Sequence, residues 1–229
     1  MPSPARVAVL ASGGGTNLQA LLDRFNAAES PVARVALVVG SRAGIGALER
    51  AAAAGVPAAA LDVRALGAEA YTAALLAELE RHRIELVVLA GFLQLVPRVV
   101  VERYRGRMLN VHPALLPGFG GAGMYGMRVH RAVIASGARV SGATVHLVDE
   151  EYDSGAIVAQ WPVPVLPGDT AETLAARVLA VEHRLLPLAV EALVRGDAPA
   201  PAADPACFAL VPEPHPDDAA LRALLRLPV

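Results

Sequence analysis

The chain has 229 residues, a formal net charge of −2, 55% hydrophobic residues and 18% charged ones. That balance excludes a disordered polyelectrolyte and gives no strongly basic face for nucleic acid, and no run reaches the ~18 apolar residues of a membrane-spanning helix. All 20 basic residues are arginine and Cys207 is the single cysteine, which removes Schiff-base and Walker-type lysines, a disulfide framework and a cysteine zinc site.

The first half alternates two signals. Residues 7–10 form a short apolar run read as a buried strand, followed by Gly13-Gly14-Gly15. Leu18, Leu21, Leu22 and Phe25 then recur at helical spacing. Residues 35–39 predict a second strand ended by Gly40-Ser41, residues 45–54 a helix, and residues 58–61 a third strand. A helix over 68–82 carries Tyr71, Leu75, Leu76 and Leu79 on one side, and residues 86–89 give a fourth strand. Continuous apolar strands separated by helices predict a doubly wound, mostly parallel α/β sheet covered on both faces.

The second half is less regular. A short helix is expected over 97–104, then a strand over 108–112 stopped by Pro113. Residues 117–127 hold five glycines (118, 120, 121, 123 and 126) and read as a loop. A helix over 129–136, strands over 144–148 and 157–165, and a long helix over 173–194 follow. After Gly196 the composition turns rich in Pro and Ala. The expected organisation is therefore one main domain over 1–196 and an extension over 197–229, with a strand at 208–211 and a helix at 217–225. The start of the chain has no signal-peptide core, which predicts a cytoplasmic protein.

Three segments carry the chemistry. In Ser12-Gly13-Gly14-Gly15-Thr16-Asn17, the glycines let the backbone turn tightly at a helix start, with Thr16 or Asn17 as cap. Free N–H groups there favour an anion such as a phosphate; an ordinary strand-to-helix turn is the alternative. There is no full GxGxxG and no acidic residue after the second strand, so a sugar phosphate is favoured over a dinucleotide. In Asn110-Val111-His112-Pro113, strand period two puts Asn110 and His112 on one face at the carboxyl end of a strand. An amide beside an imidazole suits a developing oxyanion, although a structural histidine bonded to a carbonyl gives the same pattern. Residues 149–155 hold four carboxylates, among which Asp153 is set inward by the turn at Gly155. Close to His112, it would raise the imidazole pKa. EF-hand spacing is absent, and no HExxH or other metal spacing occurs. Thr144 and His146 share a strand face and read either as support behind the site or as satisfied core groups, His146 more as the latter. His82 and Glu182 are expected at the surface, and His130, His183 and His215 carry little signal.

Taken together, the segments resemble phosphoribosylglycinamide formyltransferase. The motifs are residues 9–19, Leu89-Ala90-Gly91-Phe92-Leu93, residues 109–117, and residues 142–148 with Asp153 and Gly155 in register. The resemblance covers about residues 6–195. Asn110, His112 and Asp153 alone would also fit methionyl-tRNA formyltransferase or formyltetrahydrofolate deformylase, but the glycine-rich loop favours the phosphoribosyl substrate. The resemblance implies a Rossmann-like fold and formyl transfer from 10-formyltetrahydrofolate to the primary amine of phosphoribosylglycinamide, in purine biosynthesis, through a tetrahedral intermediate without a metal. It implies that Gly15, Thr16 and Asn17 cradle the phosphate, that Asn110 holds the formyl oxygen, and that His112 as imidazolium, oriented by Asp153, stabilises the oxyanion. Leu93, Gln94, Leu95, Val96, Val148 and Asp149 would grip the folate beside Asn110, and Glu182 would meet the amine side. Two positions depart from the pattern: Leu179 replaces a polar contact of some relatives, and Ala68 an arginine near the folate. Small-molecule substrates are the expected partners, with no nucleic acid or membrane, as monomer or homodimer. A formyl-folate hydrolase and a non-catalytic sugar-phosphate-binding protein are the alternatives.

Overall fold

The structure is a computed structural model that describes residues 3–28 and 31–196. The expected strand at 208–211 and helix at 217–225 lie outside the described residues. Seven strands form one sheet in the order β3-β2-β1-β4-β5-β6-β7. They are β1 (Ala5–Ala11), β2 (Ala33–Gly40), β3 (Ala58–Ala60), β4 (Leu86–Leu89), β5 (Met108–His112), β6 (Val140–Leu147) and β7 (Ile157–Pro164). The first five pair in parallel. The pairs β5–β6 and β6–β7 are antiparallel.

Helices cover both faces: α1 (Thr16–Phe25), α2 (Gly46–Ala53), α3 (Val63–Leu66), α4 (Ala68–Arg81), α5 (Arg98–Arg103), α6 (Met127–Ser136) and α7 (Ala171–Arg195). The strand alternation decides which core each side chain joins. Val7, Val9 and Ala11 pack with Leu18, Leu21 and Phe25 of α1 and Leu185, Leu186 and Val190 of α7. Ala8 and Leu10 point the other way, to Tyr71, Leu75 and Leu79 of α4 and Val100 and Val101 of α5. Both faces of β1, β2, β4 and β5 are thus buried, which is why they read as unbroken apolar runs, whereas β3 at the sheet edge is largely exposed.

Two elements escaped the sequence reading. The four-residue α3 is held by Asp62, whose carboxylate accepts from Arg64 N, a local contact with no periodic signal. The reversal of β6 follows from chain geometry: α6 ends beside the far end of β5, so β6 returns along it. The helix cap also differs. Gly15, at φ +74°, caps α1 with no side-chain hydrogen bond, so neither Thr16 nor Asn17 acts as the cap.

Strand order reverses between β1 and β4, and open α/β sheets bind ligands at the carboxyl edge of such a point. The two loops there are tied together. Ser12 N donates to Gly91 O at 3.1 Å, and Leu93 N donates to Ser12 Oγ at 3.1 Å.

Candidate active site

The glycine loop is packed against α2. A Cβ on Gly15 would lie 2.7 Å from Ala47 Cα, so close approach as well as positive φ demands glycine there. Ala47 N donates to Gly13 O at 3.1 Å. Asn17, on the first turn of α1, is buried and donates from Nδ2 to Glu182 Oε2 at 2.6 Å. Asn17 Oδ1 is enclosed and accepts from none of the described residues. Glu182 is buried rather than at the surface. Burial raises its carboxyl pKa, and the Asn17 amide offsets this only in part.

At the carboxyl end of β5, Asn110 and His112 do emerge on one face, both lining the same cavity. Asp153 reaches them from the loop after β6. Its φ of +56° is a left-handed conformation. Gly155 permits the turn, since a Cβ there would meet Leu147 O at 1.9 Å. Asp153 Oδ2 lies 3.4 Å from His112 Nδ1 and accepts from Gly121 N at 2.9 Å. Asp153 Oδ1 accepts from Asn110 Nδ2 at 3.3 Å. His146 supports this group: its Nδ1 lies 2.8 Å from Leu147 O, and its Nε2 lies 3.0 Å from Asn110 Nδ2 and 3.5 Å from Asp153 Oδ1. Thr144 is a satisfied core hydroxyl, donating to Ala114 O and accepting from Leu116 N.

His112 Nε2 donates to Phe119 O at 2.9 Å. Both ring nitrogens therefore face acceptors, so the ring is fully hydrogen-bonded only as the cation. Burial nevertheless dominates and pushes the imidazole below the ordinary histidine value, with Asp153 opposing it. The aspartate acts in the expected direction, but the net shift is downward, which corrects the expectation of an imidazole favoured as the cation. For Asp153 burial is the largest single influence and raises the carboxyl, but the neighbouring imidazoles and the Gly121 N–H together hold it below the usual carboxylate range. A low-pKa carboxylate beside the ring favours its second proton, and the imidazolium so formed can stabilise negative charge that arrives later.

The cavity joining these groups is about 530 Å³, within the usual range for small-molecule sites. Leu93, Gln94, Leu95 and Val96 line its mouth together with Val148 and Asp149. Leu93 and Leu95 are half exposed despite being apolar. Leu179 also lines it, whereas Ala68 is exposed at the start of α4. Of the three loop residues, only Asn17 lines this cavity. Thr16 faces an adjoining groove between α1 and α7. His82 is half-buried, its ring 3.6 Å from Glu78, so it is not a freely solvated side chain.

Sequence reasoning passed over His130 and Phe119. His130 is buried in the first turn of α6, lines the cavity, and has an enclosed Nδ1 that meets no partner among the described residues. Its spacing from the apolar Val129 and Val133 is the one signal that places it inward. Phe119 enters through a backbone carbonyl, which no side-chain pattern announces. Among the described residues no group of three or more His, Cys, Asp or Glu side chains could hold a metal. No helix there is long and apolar enough to cross a membrane.

Comparison with known proteins gives one consistent result. Residues 5–190 match the family model described as formyl transferase. The chain is 42% identical over 194 residues, 83% of its length, to the trifunctional purine biosynthetic protein adenosine-3 of Gallus gallus, of which it spans 18%. It is 56% identical over 115 residues, half of its length, to the chloroplastic phosphoribosylglycinamide formyltransferase of Vigna unguiculata, of which that match spans 37%. The chain thus covers less than half of either curated relative. Its fold matches the crystal structure of glycinamide ribonucleotide transformylase 1 from Symbiobacterium toebii with a TM-score of 0.78 and 42% identity, over 84% of this chain and 89% of that one.

Proposed function

The chain belongs to the formyl transferase family, and from that premise we propose that it transfers the formyl group of 10-formyltetrahydrofolate to the primary amine of 5′-phosphoribosylglycinamide, a step of purine biosynthesis, in the cytoplasm. The observation that carries this reading is the joining, by one cavity, of the Asn110–His112–Asp153 group to Asn17 at the start of α1. The trifunctional and chloroplastic relatives, named for purine biosynthesis and for this formyltransferase, support the same substrate.

The geometry supports the following roles. The backbone N–H groups at Gly15, Thr16 and Asn17 hold the phosphate at the positive end of α1. Glu182 and the free Asn17 Oδ1 accept hydrogen bonds from the donor-rich glycinamide end. Leu93, Leu95, Val96 and Val148 sandwich the pteridine, and Gln94 and Asp149 offer polar contacts at its edge. The amine attacks the formyl carbon, forming the new C–N bond and a tetrahedral intermediate, which then collapses by breaking the bond to the folate N10. The amine loses one proton and N10 gains one. Asn110 turns its weaker N–H, the one 3.3 Å from Asp153, onto the formyl oxygen. As that oxygen becomes negative, His112 holds its second proton and donates to it. Asp153 orients the ring and balances the cation. The Phe119 carbonyl holds Nε2 in the described state, so residues 118–126 yield that contact when substrate enters.

The test is formyl loss from 10-formyltetrahydrofolate, followed by absorbance with and without phosphoribosylglycinamide. Loss that requires the amine and yields one formylated product per folate is expected. Loss independent of the amine assigns a hydrolase instead, and no loss in either mixture leaves only a binding protein.

A further inference from the structure

The proposed phosphate end poses a charge problem. A phosphate monoester carries nearly two negative charges at neutral pH, yet among the described residues no arginine lines the catalytic cavity, and the chain has no lysine. Leu179, which lines that cavity, adds no charge. The neighbouring helix α2 supplies what is missing from behind the loop.

Arg50 sits on α2 and reaches back to the glycine loop. Its Nε donates to Gly14 O at 2.8 Å and its Nη1 to Gln19 Oε1 at 2.9 Å. Gly13 O is also turned toward α2, accepting from Ala47 N. Both peptide units are trans, because the single cis bond among the described residues is Leu116–Pro117. In a trans peptide the N–H points opposite to the C=O. Fixing the carbonyls of Gly13 and Gly14 on α2 therefore turns the N–H groups of Gly14 and Gly15 away from it, toward the open side of the loop. The free N–H groups of the first turn of α1, which begins at this loop, point out along the helix axis. Gly46 is close enough that a Cβ on it would lie 3.0 Å from Gly14 O, so the approach of the two segments is tight. Around the guanidinium, Arg24 is paired with Glu191, and Gln19 also meets Asp23. Arg50 is felt by His183 across the groove that contains Thr16.

We infer that Arg50 is a positioning residue for substrate phosphate: it orients the Gly14 peptide so that consecutive backbone N–H groups face the phosphate, and its charge partly balances the dianion from behind. This rests on the phosphate reading given above. It differs from a purely structural role because its effect falls on one substrate. Arg50→Met keeps the aliphatic stem and removes both functions. The KM for phosphoribosylglycinamide rises at least about tenfold, while kcat and the KM for 10-formyltetrahydrofolate stay within about twofold. Arg50→Lys keeps the charge but cannot hold two acceptors in a fork, so it recovers only part of the loss.

The companion measurement needs no turnover. Ribose 5-phosphate is titrated into the full chain by calorimetry. Binding to wild type with at least about tenfold weaker binding to Arg50→Met supports the inference. Equal affinities overturn the role of Arg50 and leave the phosphate reading standing. No binding to wild type overturns both. If Arg50→Met fails to fold, Gln19→Ala, which loosens the guanidinium without removing it, carries the same test with a smaller shift of about threefold; an unchanged affinity there counts against the inference.

Discussion

The two ends of the cavity are built by different means. At the glycine loop the working groups are backbone amides, fixed by contacts between α1, α2 and the loop. At the end of β5 they are side chains, drawn from β5, from β6 and from the loop carrying Asp153. A backbone site tolerates side-chain exchange but not added bulk. A side-chain site fails when one group is removed, because its neighbours then lose their hydrogen-bond partners. Substitutions at the first end should therefore register in substrate binding, and at the second in turnover.

The largest effect is expected from Asn110→Ala or His112→Ala, which remove an oxyanion donor. Loss of such a donor costs about 2.7–4 kcal/mol, so kcat falls at least about a hundredfold, measured under saturating substrates. Near-normal turnover in either variant would break the comparison at its catalytic end. Asp153→Asn comes next. It removes the charge that opposes the burial of His112, so the imidazole pKa falls further and the limb of the pH–rate profile that reports it moves to lower pH. An unmoved limb would separate Asp153 from His112.

Gly15→Ala sharpens the other end. The new methyl meets Ala47 in a left-handed conformation, so the loop shifts. The KM for the amine substrate rises at least about tenfold with a smaller change in kcat, as expected when binding alone is lost. A fall in kcat with KM unchanged would contradict the division between the ends. The smallest effect is in stability. Glu182 is an acid whose carboxyl pKa is raised by burial, so its folded state favours the proton, and the stability it contributes is present below the unfolded value and lost as pH rises above it. Glu182→Gln keeps an acceptor for Asn17 and removes the buried charge. It raises the thermal midpoint at pH 8, by about 2–4 °C for each 1 kcal/mol gained, and the gain disappears as pH falls below about 4.3. The same variant weakens binding of the amine substrate.

Acid should act in the opposite sense on the histidines. His112, His130 and His183 all lie below the ordinary value because burial disfavours their cations. For groups depressed in this way, stability present above the unfolded value near 6.5 is lost as pH falls. Chemical denaturation between pH 7 and pH 5 checks this, and a folded state that gains stability over that range would contradict it.

The same contrast explains what the sequence revealed. Strands β1, β2, β4 and β5 are buried on both faces and stand out as apolar runs, so the fold class was legible. Asn110 and His112 lie two apart on one strand, and period two places them together without further knowledge. Asp153 needed Gly155 and the resemblance to be singled out. Glu182 looked like a helix-surface residue and His130 carried little signal, because their burial depends on what packs against α7 and α6. The lowered imidazole of His112 was misread because its carboxylate neighbour is visible in the pattern, whereas the enclosure that outweighs it is a property of the assembled sheet and loops. Arg50 gave no signal, since its partners are carbonyl and carboxamide oxygens more than 30 residues away in the chain.

The most direct check on a site that reads phosphate at one end and transfers formyl at the other compares two acceptors in the wild-type chain. Formyl transfer from 10-formyltetrahydrofolate is measured to phosphoribosylglycinamide and to the same riboside without its phosphate. Each charge-assisted hydrogen bond lost is worth about 1.5–3 kcal/mol, so kcat/KM for the riboside should be at least about a hundredfold lower, with the KM for the folate unchanged. Equal use of the two acceptors, or formyl loss to water at the same rate with neither present, would contradict the account.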